Sequence, residues 1–124
     1  MYRNVDLMGW GTTTFAGSVS PKLLKVQLQV LDNNSCQNSY TGIANIYPDQ
    51  VCTYDNSGQN KDSCQYDSGG PVIYRDLRQY LVGCISFGKP CGQGGYPVGV
   101  NTYVVPYLTW IDQVTGYSRC NKTL

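Results

Sequence analysis

The stretch "DSCQYDSGGPVIY", Asp62 to Tyr74, sets a serine, Ser68, between Asp67 and the pair Gly69–Gly70, just ahead of an apolar run. Glycines permit backbone angles barred to other residues and let a second chain approach closely. Backbone N–H groups beside a serine hydroxyl are the donors that a negatively charged oxygen needs as it develops on an attacked carbonyl. Asp-Ser-Gly-Gly is also ordinary turn chemistry. Taken alone, the stretch reads better as a plain turn than as a nucleophile. A serine nucleophile needs a base to take its proton, and this chain contains no histidine.

The composition narrows the class. At 124 residues the chain is one domain or part of one. A net charge of +1, with only 14% charged residues and no basic cluster, argues against a nucleic-acid binder. No apolar run approaches the roughly 20 residues that span a bilayer. Six cysteines without a C-x-x-C pair fit disulfides and an oxidising compartment, or else a set of buried thiols. Two sequons, Asn33-Asn34-Ser35 and Asn121-Lys122-Thr123, fit a secreted chain. The start, "MYRNVDLMGWG", lacks the apolar segment and cleavage site of a secretion signal, so the expectation is that something precedes it.

Periodicity predicts mostly strands. In "KVQLQVL", Val26, Leu28 and Val30 share one face and Gln27 and Gln29 the other, the pattern of a half-buried strand. "PVIY" and "YLVGCIS", joined by "RDLR", predict a hairpin, and Val98 to Val104 a further strand. Only the C-terminus reads as helix: Pro106 suits a first turn, Tyr107, Trp110, Ile111 and Val114 follow a helical stripe, and Gly116 is a stop. Short strands followed by one helix predict an all-β domain, a small antiparallel barrel or sandwich.

The residues also carry a resemblance. "QYDSGGP" resembles the GDSGGP segment of the chymotrypsin/trypsin family of serine proteases. "GWG" at Gly9 to Gly11, "NNSC" ending at Cys36, "VCTY" around Cys52, "LVGCISFG" from Leu81 to Gly88 and "YLTWI" resemble further segments of that family, in the family's order and spacing. The match covers essentially the whole chain. It implies the second, C-terminal six-stranded antiparallel β-barrel of the chymotrypsin fold plus a C-terminal α-helix. Residues 1–124 would be a partial domain with the N-terminal barrel absent. "QYDSGGP" and "YPVGVNTYV" are similar to arthropod secreted members.

By this resemblance Ser68 is the nucleophile, and its N–H with that of Tyr66 forms the oxyanion hole. Tyr66 departs from the family's glycine, and its side chain would crowd the leaving-group side. Asp62 would floor a specificity pocket for Arg or Lys. Ser86, Phe87 and Gly88 would pair with substrate backbone, and Gly99 would keep the pocket open. Phe87 replaces the family's tryptophan. Asp67 would take part in the activation salt bridge with a new amino terminus, and no activation sequence occurs in the chain. Cys36 would bond Cys52, and Cys64 would bond Cys91. Cys84 is expected to be a buried thiol, with Cys120 paired to the absent half or to Cys84.

The family's histidine and aspartate belong to the barrel that precedes GWG, so the missing base belongs to an absent half, and nothing places a lysine at Ser68 instead. The expected activity is that of a secreted trypsin-like endopeptidase, with this chain alone inactive. The alternative is a non-catalytic homologue that acts as a binding protein. Expected partners are protein substrates, proteinaceous inhibitors and the missing barrel. No metal, cofactor, nucleic acid or membrane is expected.

Overall fold

The computed structural model describes residues 3–12, 17–57, 67–88 and 98–116. Six strands appear among them: β1 (Asn4–Gly9), β2 (Leu24–Leu31), β3 (Gln50–Tyr54), β4 (Pro71–Arg75), β5 (Gln79–Gly88) and β6 (Val98–Tyr103). They close into a barrel in the order β1-β2-β3-β6-β5-β4, with every pairing antiparallel and β1 meeting β4. Each strand is paired on both sides, β5 with β4 over Gln79–Cys84 and with β6 over Gly83–Gly88. The barrel expected from the sequence is thus the observed architecture.

The interior follows from alternation. Val5 and Leu7 of β1, Leu28 of β2, Val72 of β4, and Val82 and Ile85 of β5 are buried together, with Val26 and Val30 packed against them. Strand residues two apart share a face, so the Val26–Leu28–Val30 face turns inward as its pattern predicts. The predicted hairpin joins β4 to β5 through Asp76–Arg78, where the Asp76 N–H donates to the Arg78 carbonyl at 2.9 Å. At the base of that hairpin Arg75 Nε lies 2.9 Å from Asp6 Oδ2, so the ion pair ties β4 to β1.

The reading that only the C-terminus is helical is corrected by α1 (Asn33–Tyr40). Its sequence, "NNSCQNSY", is poor in helix formers, and it shows only Cys36 and Tyr40 as buried residues, too few for a stripe. Other forces hold it. The Asp32 carboxylate accepts the Ser35 N–H at 2.9 Å and the Ser35 hydroxyl at 2.8 Å, capping the first turn. Cys36 is bonded to Cys52 of β3, with Cα atoms 6.3 Å apart, which is the pairing the resemblance implied. Cys36, Tyr40, Cys52, Val98 and Val100 form a second core between α1 and the β3–β6 ladder. Covered on both faces there, β3 buries Val51, Cys52 and Thr53 in succession. Asn101 of β6 is also buried, and its amide donates to the Val51 carbonyl at 3.0 Å and to Thr53 Oγ1 at 3.2 Å.

The terminal helix, α2 (Leu108–Thr115), follows a short 3-10 turn over Val105–Tyr107 that contains Pro106. It ends at Gly116, whose φ of 76° is left-handed and whose N–H returns to the Asp112 carbonyl. The helix is where the sequence predicts it. Its apolar stripe is not buried on the barrel, however: Trp110 is 61% and Val114 65% exposed. Tyr107 belongs to the 3-10 turn and donates its hydroxyl to the Asp49 carboxylate. Among the described residues no helix is long and apolar enough to cross a membrane.

Candidate active site

Ser68 lies in a turn, Asp67–Gly70, that leads directly into β4. The turn depends on Gly69, whose φ of 85° is the left-handed region that side-chain-bearing residues avoid. Gly70 closes it, its N–H donating to the Asp67 carbonyl at 2.9 Å. A Cβ on Gly70 would press on the Met8 and Asp67 carbonyl oxygens. Two bonds stitch the turn to β5: Gly69 N–H to the Ile85 carbonyl at 2.8 Å, and Ile85 N–H to the Gly70 carbonyl at 2.9 Å. The backbone around the serine is therefore held on both sides while Ser68 itself stays exposed.

The Ser68 hydroxyl donates to the Ser86 carbonyl at 3.1 Å. That carbonyl is available because of a β-bulge. The β5–β6 register runs Ile85↔Asn101 and then Phe87↔Val100, leaving Ser86 as the extra residue. A peptide carbonyl orients a hydroxyl but is too weak a base to ionise it, so the Ser68 hydroxyl here is positioned and neutral.

Asp67 points the other way. Its Oδ1 accepts the Gly11 N–H at 2.8 Å, which ties the serine turn to the segment after β1. Gly9 makes this possible, since a Cβ at that position would overlap the Asp67 carboxylate. The carboxylate assigned to an activation salt bridge thus holds the Gly9–Gly11 segment in this chain. A cleft of about 380 Å³ opens beside the turn, lined by Met8, Trp10, Leu23, Asp67, Ser68 and Pro71 among others.

Of the expected substrate-binding residues, Ser86, Phe87 and Gly88 form the exposed end of β5. Gly99 sits across the ladder, in register with Gly88. A Cβ on Gly88 would come 3.5 Å from the Gly99 Cα, so the paired glycines keep the strands' facing surfaces bare. Asp62, Cys64, Tyr66, Cys91 and Cys120 lie outside the described residues. Cys84 is a free thiol and only half-buried, rather than buried, at its place on β5 opposite Pro71 and Thr102.

Sequence reasoning missed Tyr40. It is fully buried, donates its hydroxyl to the Val98 carbonyl, and sets its ring edge-on to Phe87 with centroids 5.9 Å apart. It therefore backs both the Phe87 ring and β6 at Val98. The signal was the N-cap pattern Asp32-x-x-Ser35, four residues before a cysteine that the resemblance already paired.

A closed six-stranded antiparallel barrel with a short C-terminal helix, bearing an exposed serine in an Asp-Ser-Gly-Gly turn against the strand at its side, is a chymotrypsin-fold barrel. The family model for trypsin matches residues 2–111. The chain belongs to the trypsin family of serine proteases. It is 41% identical over 111 residues to a proclotting enzyme of Tachypleus tridentatus, covering 88% of this chain and 29% of that protein. It is 39% identical over 109 residues to trypsin-1 of Astacus astacus, covering 87% and 45%. It is 42% identical over 107 residues to trypsin I-P1 of Gallus gallus, covering 85% and 40%. The chain thus spans less than half the length of these relatives.

Proposed function

We propose that this chain is the nucleophile-bearing part of a secreted serine endopeptidase that cleaves peptide bonds after Arg or Lys. The observation that carries the reading is the held, exposed Ser68 beside the bulge at Ser86. In this reading the Ser68 oxygen attacks the scissile carbonyl. The N–H groups of Ser68 and Tyr66 receive the developing oxyanion. Substrate backbone lies along Ser86–Gly88 as an added strand. Asp62 receives the cationic side chain of the residue before the cleaved bond, and the Gly88–Gly99 pair leaves room for its stem. The general base comes from protein outside these residues: the chain holds no histidine, and the described partner of the Ser68 hydroxyl is the Ser86 carbonyl. Protein inhibitors would occupy the same strand edge as substrates.

The 124-residue chain alone is then inactive. The test is a fluorophosphonate probe applied to the oxidatively refolded chain and to the same chain within a complete two-barrel protease. Labelling of Ser68 only in the complete protein supports the reading. Stoichiometric, Ser68-dependent labelling of the isolated chain would show that another residue activates the serine. No labelling in either would favour a non-catalytic binding protein.

A further inference from the structure

The first turn of α1 contains the sequon Asn33-Asn34-Ser35. The Asn33 amide nitrogen, which carries two N–H groups, donates to the Tyr47 carbonyl at 3.2 Å and to the Gln50 carbonyl at 3.3 Å. The Ser35 hydroxyl, the other side chain an acceptor triplet presents, is spent on Asp32. The folded protein therefore offers a wound and hydrogen-bonded triplet where glycan acceptors are normally surface loops.

Both carbonyls that hold the Asn33 amide follow it in the chain. Tyr47 is 14 residues later and Gln50 17. Cys36, three positions on from Asn33, is joined to Cys52 across a separation of 16. One loop closure thus forms the disulfide and delivers the Gln50 carbonyl to Asn33. Until Tyr47 to Cys52 have entered the same compartment, the Asn33 amide has neither carbonyl to bind.

We propose that Asn33 is a conditional N-glycosylation site, open to the transferase only in molecules whose α1–β3 disulfide has not closed. The relevance of this to the natural protein rests on the secretory reading above. In the transfer, Asn33 Nδ2 attacks C1 of an oligosaccharide carried on a lipid pyrophosphate. The N–C1 bond forms and the C1–O bond breaks. The lipid pyrophosphate leaves with the electron pair, and Nδ2 gives up one proton. The product retains a single N–H, so one of the two bonds to the 47–50 loop is lost, and the sugar stands where that carbonyl lay. Glycan addition and native docking of α1 compete for the same nitrogen.

The test places the full chain behind a cleavable leader in insect cells, with Asn121→Gln leaving Asn33 as the one sequon. Asn33 occupancy and Cys36–Cys52 bonding are read together by mass spectrometry, with Asn33→Gln as the blank. The expected result is several-fold higher occupancy in the Cys36→Ala/Cys52→Ala variant, or under added reductant, and almost none in disulfide-bonded molecules of the parent. Equal occupancy with and without the disulfide, at any level including zero, would overturn the proposal. So would a glycan on Asn33 in most disulfide-bonded molecules. Because the leader delivers the chain to the lumen whatever its natural address, such a failure counts against the closing of Asn33 and leaves the secretory reading untouched.

Discussion

Gly9→Ala tests how the serine turn is held. Gly9 does not have a positive φ, so alanine brings no backbone strain there and its effect must come from the added methyl. That methyl would overlap the Asp67 carboxylate that accepts the Gly11 N–H. Two responses are open. The carboxylate stays, and the overpacking costs about 1–3 kcal/mol. Or it swings away, and the bond from Gly11 to a charged acceptor is lost, at about 1.5–3 kcal/mol. The cheaper response sets the result, so we expect a loss of about 2 kcal/mol. Urea unfolding followed by tryptophan fluorescence reads it, since Trp10 lies between the two affected residues. A double-mutant cycle isolates the cause. In an Asp67→Ala background the overlapping carboxylate is gone and the methyl stands 3.3 Å from the Cβ kept at position 67, so Gly9→Ala should cost about 0.5 kcal/mol. Equal costs in the two backgrounds would refute the proposed link between the serine turn and the Gly9–Gly11 segment.

Tyr40→Phe keeps the ring against Phe87 but leaves the buried Val98 carbonyl without its donor, an expected loss of about 1–3 kcal/mol in the same unfolding assay. Tyr40→Ala removes the ring as well and should cost about 3–5 kcal/mol. Removing the Cys36–Cys52 bridge with paired serines should lower stability by about 3 kcal/mol for its separation of 16 residues, measured as a shift in the urea midpoint. Hydrogen bonds from the Ser35 N–H and then the Ser35 hydroxyl hold the Asp32 carboxyl below its ordinary pKa. A depressed folded pKa means the unfolded chain binds the proton more readily, so this cap stabilises above the ordinary carboxylate range and fades as pH falls through the folded value. The stability gap between the parent and Asp32→Ala, measured by thermal unfolding across pH, should therefore narrow on acidification; a gap that widens contradicts the cap.

The sequence by itself determined the parts whose information is local. Alternation placed Val26, Leu28 and Val30 on one face, because side chains on a strand alternate whatever lies beyond it. The glycine pair after Ser68 marked a turn, and Gly116 a helix stop, because few other residues accept those backbone angles. The stripe at Tyr107–Val114 announced a helix, although the barrel in this chain does not bury it. The segments that carry Ser68, Ser86–Gly88 and Gly99 were legible from their order, and the fold sets Ser68, in the turn before β4, against Ser86 of β5, with Gly99 across the ladder on β6. What only the tertiary structure decided depends on residues far apart in the chain. The helix α1 has too little intrinsic propensity to be read; it exists because of a cap, a disulfide and a buried tyrosine whose partner is 58 residues away. Asp67 reaches Gly11 across 56 residues, and Gly9 matters only because of that carboxylate. The Ser86 carbonyl meets Ser68 because β5 and β6 slip by one residue, and a bulge belongs to a pair of strands rather than to either sequence.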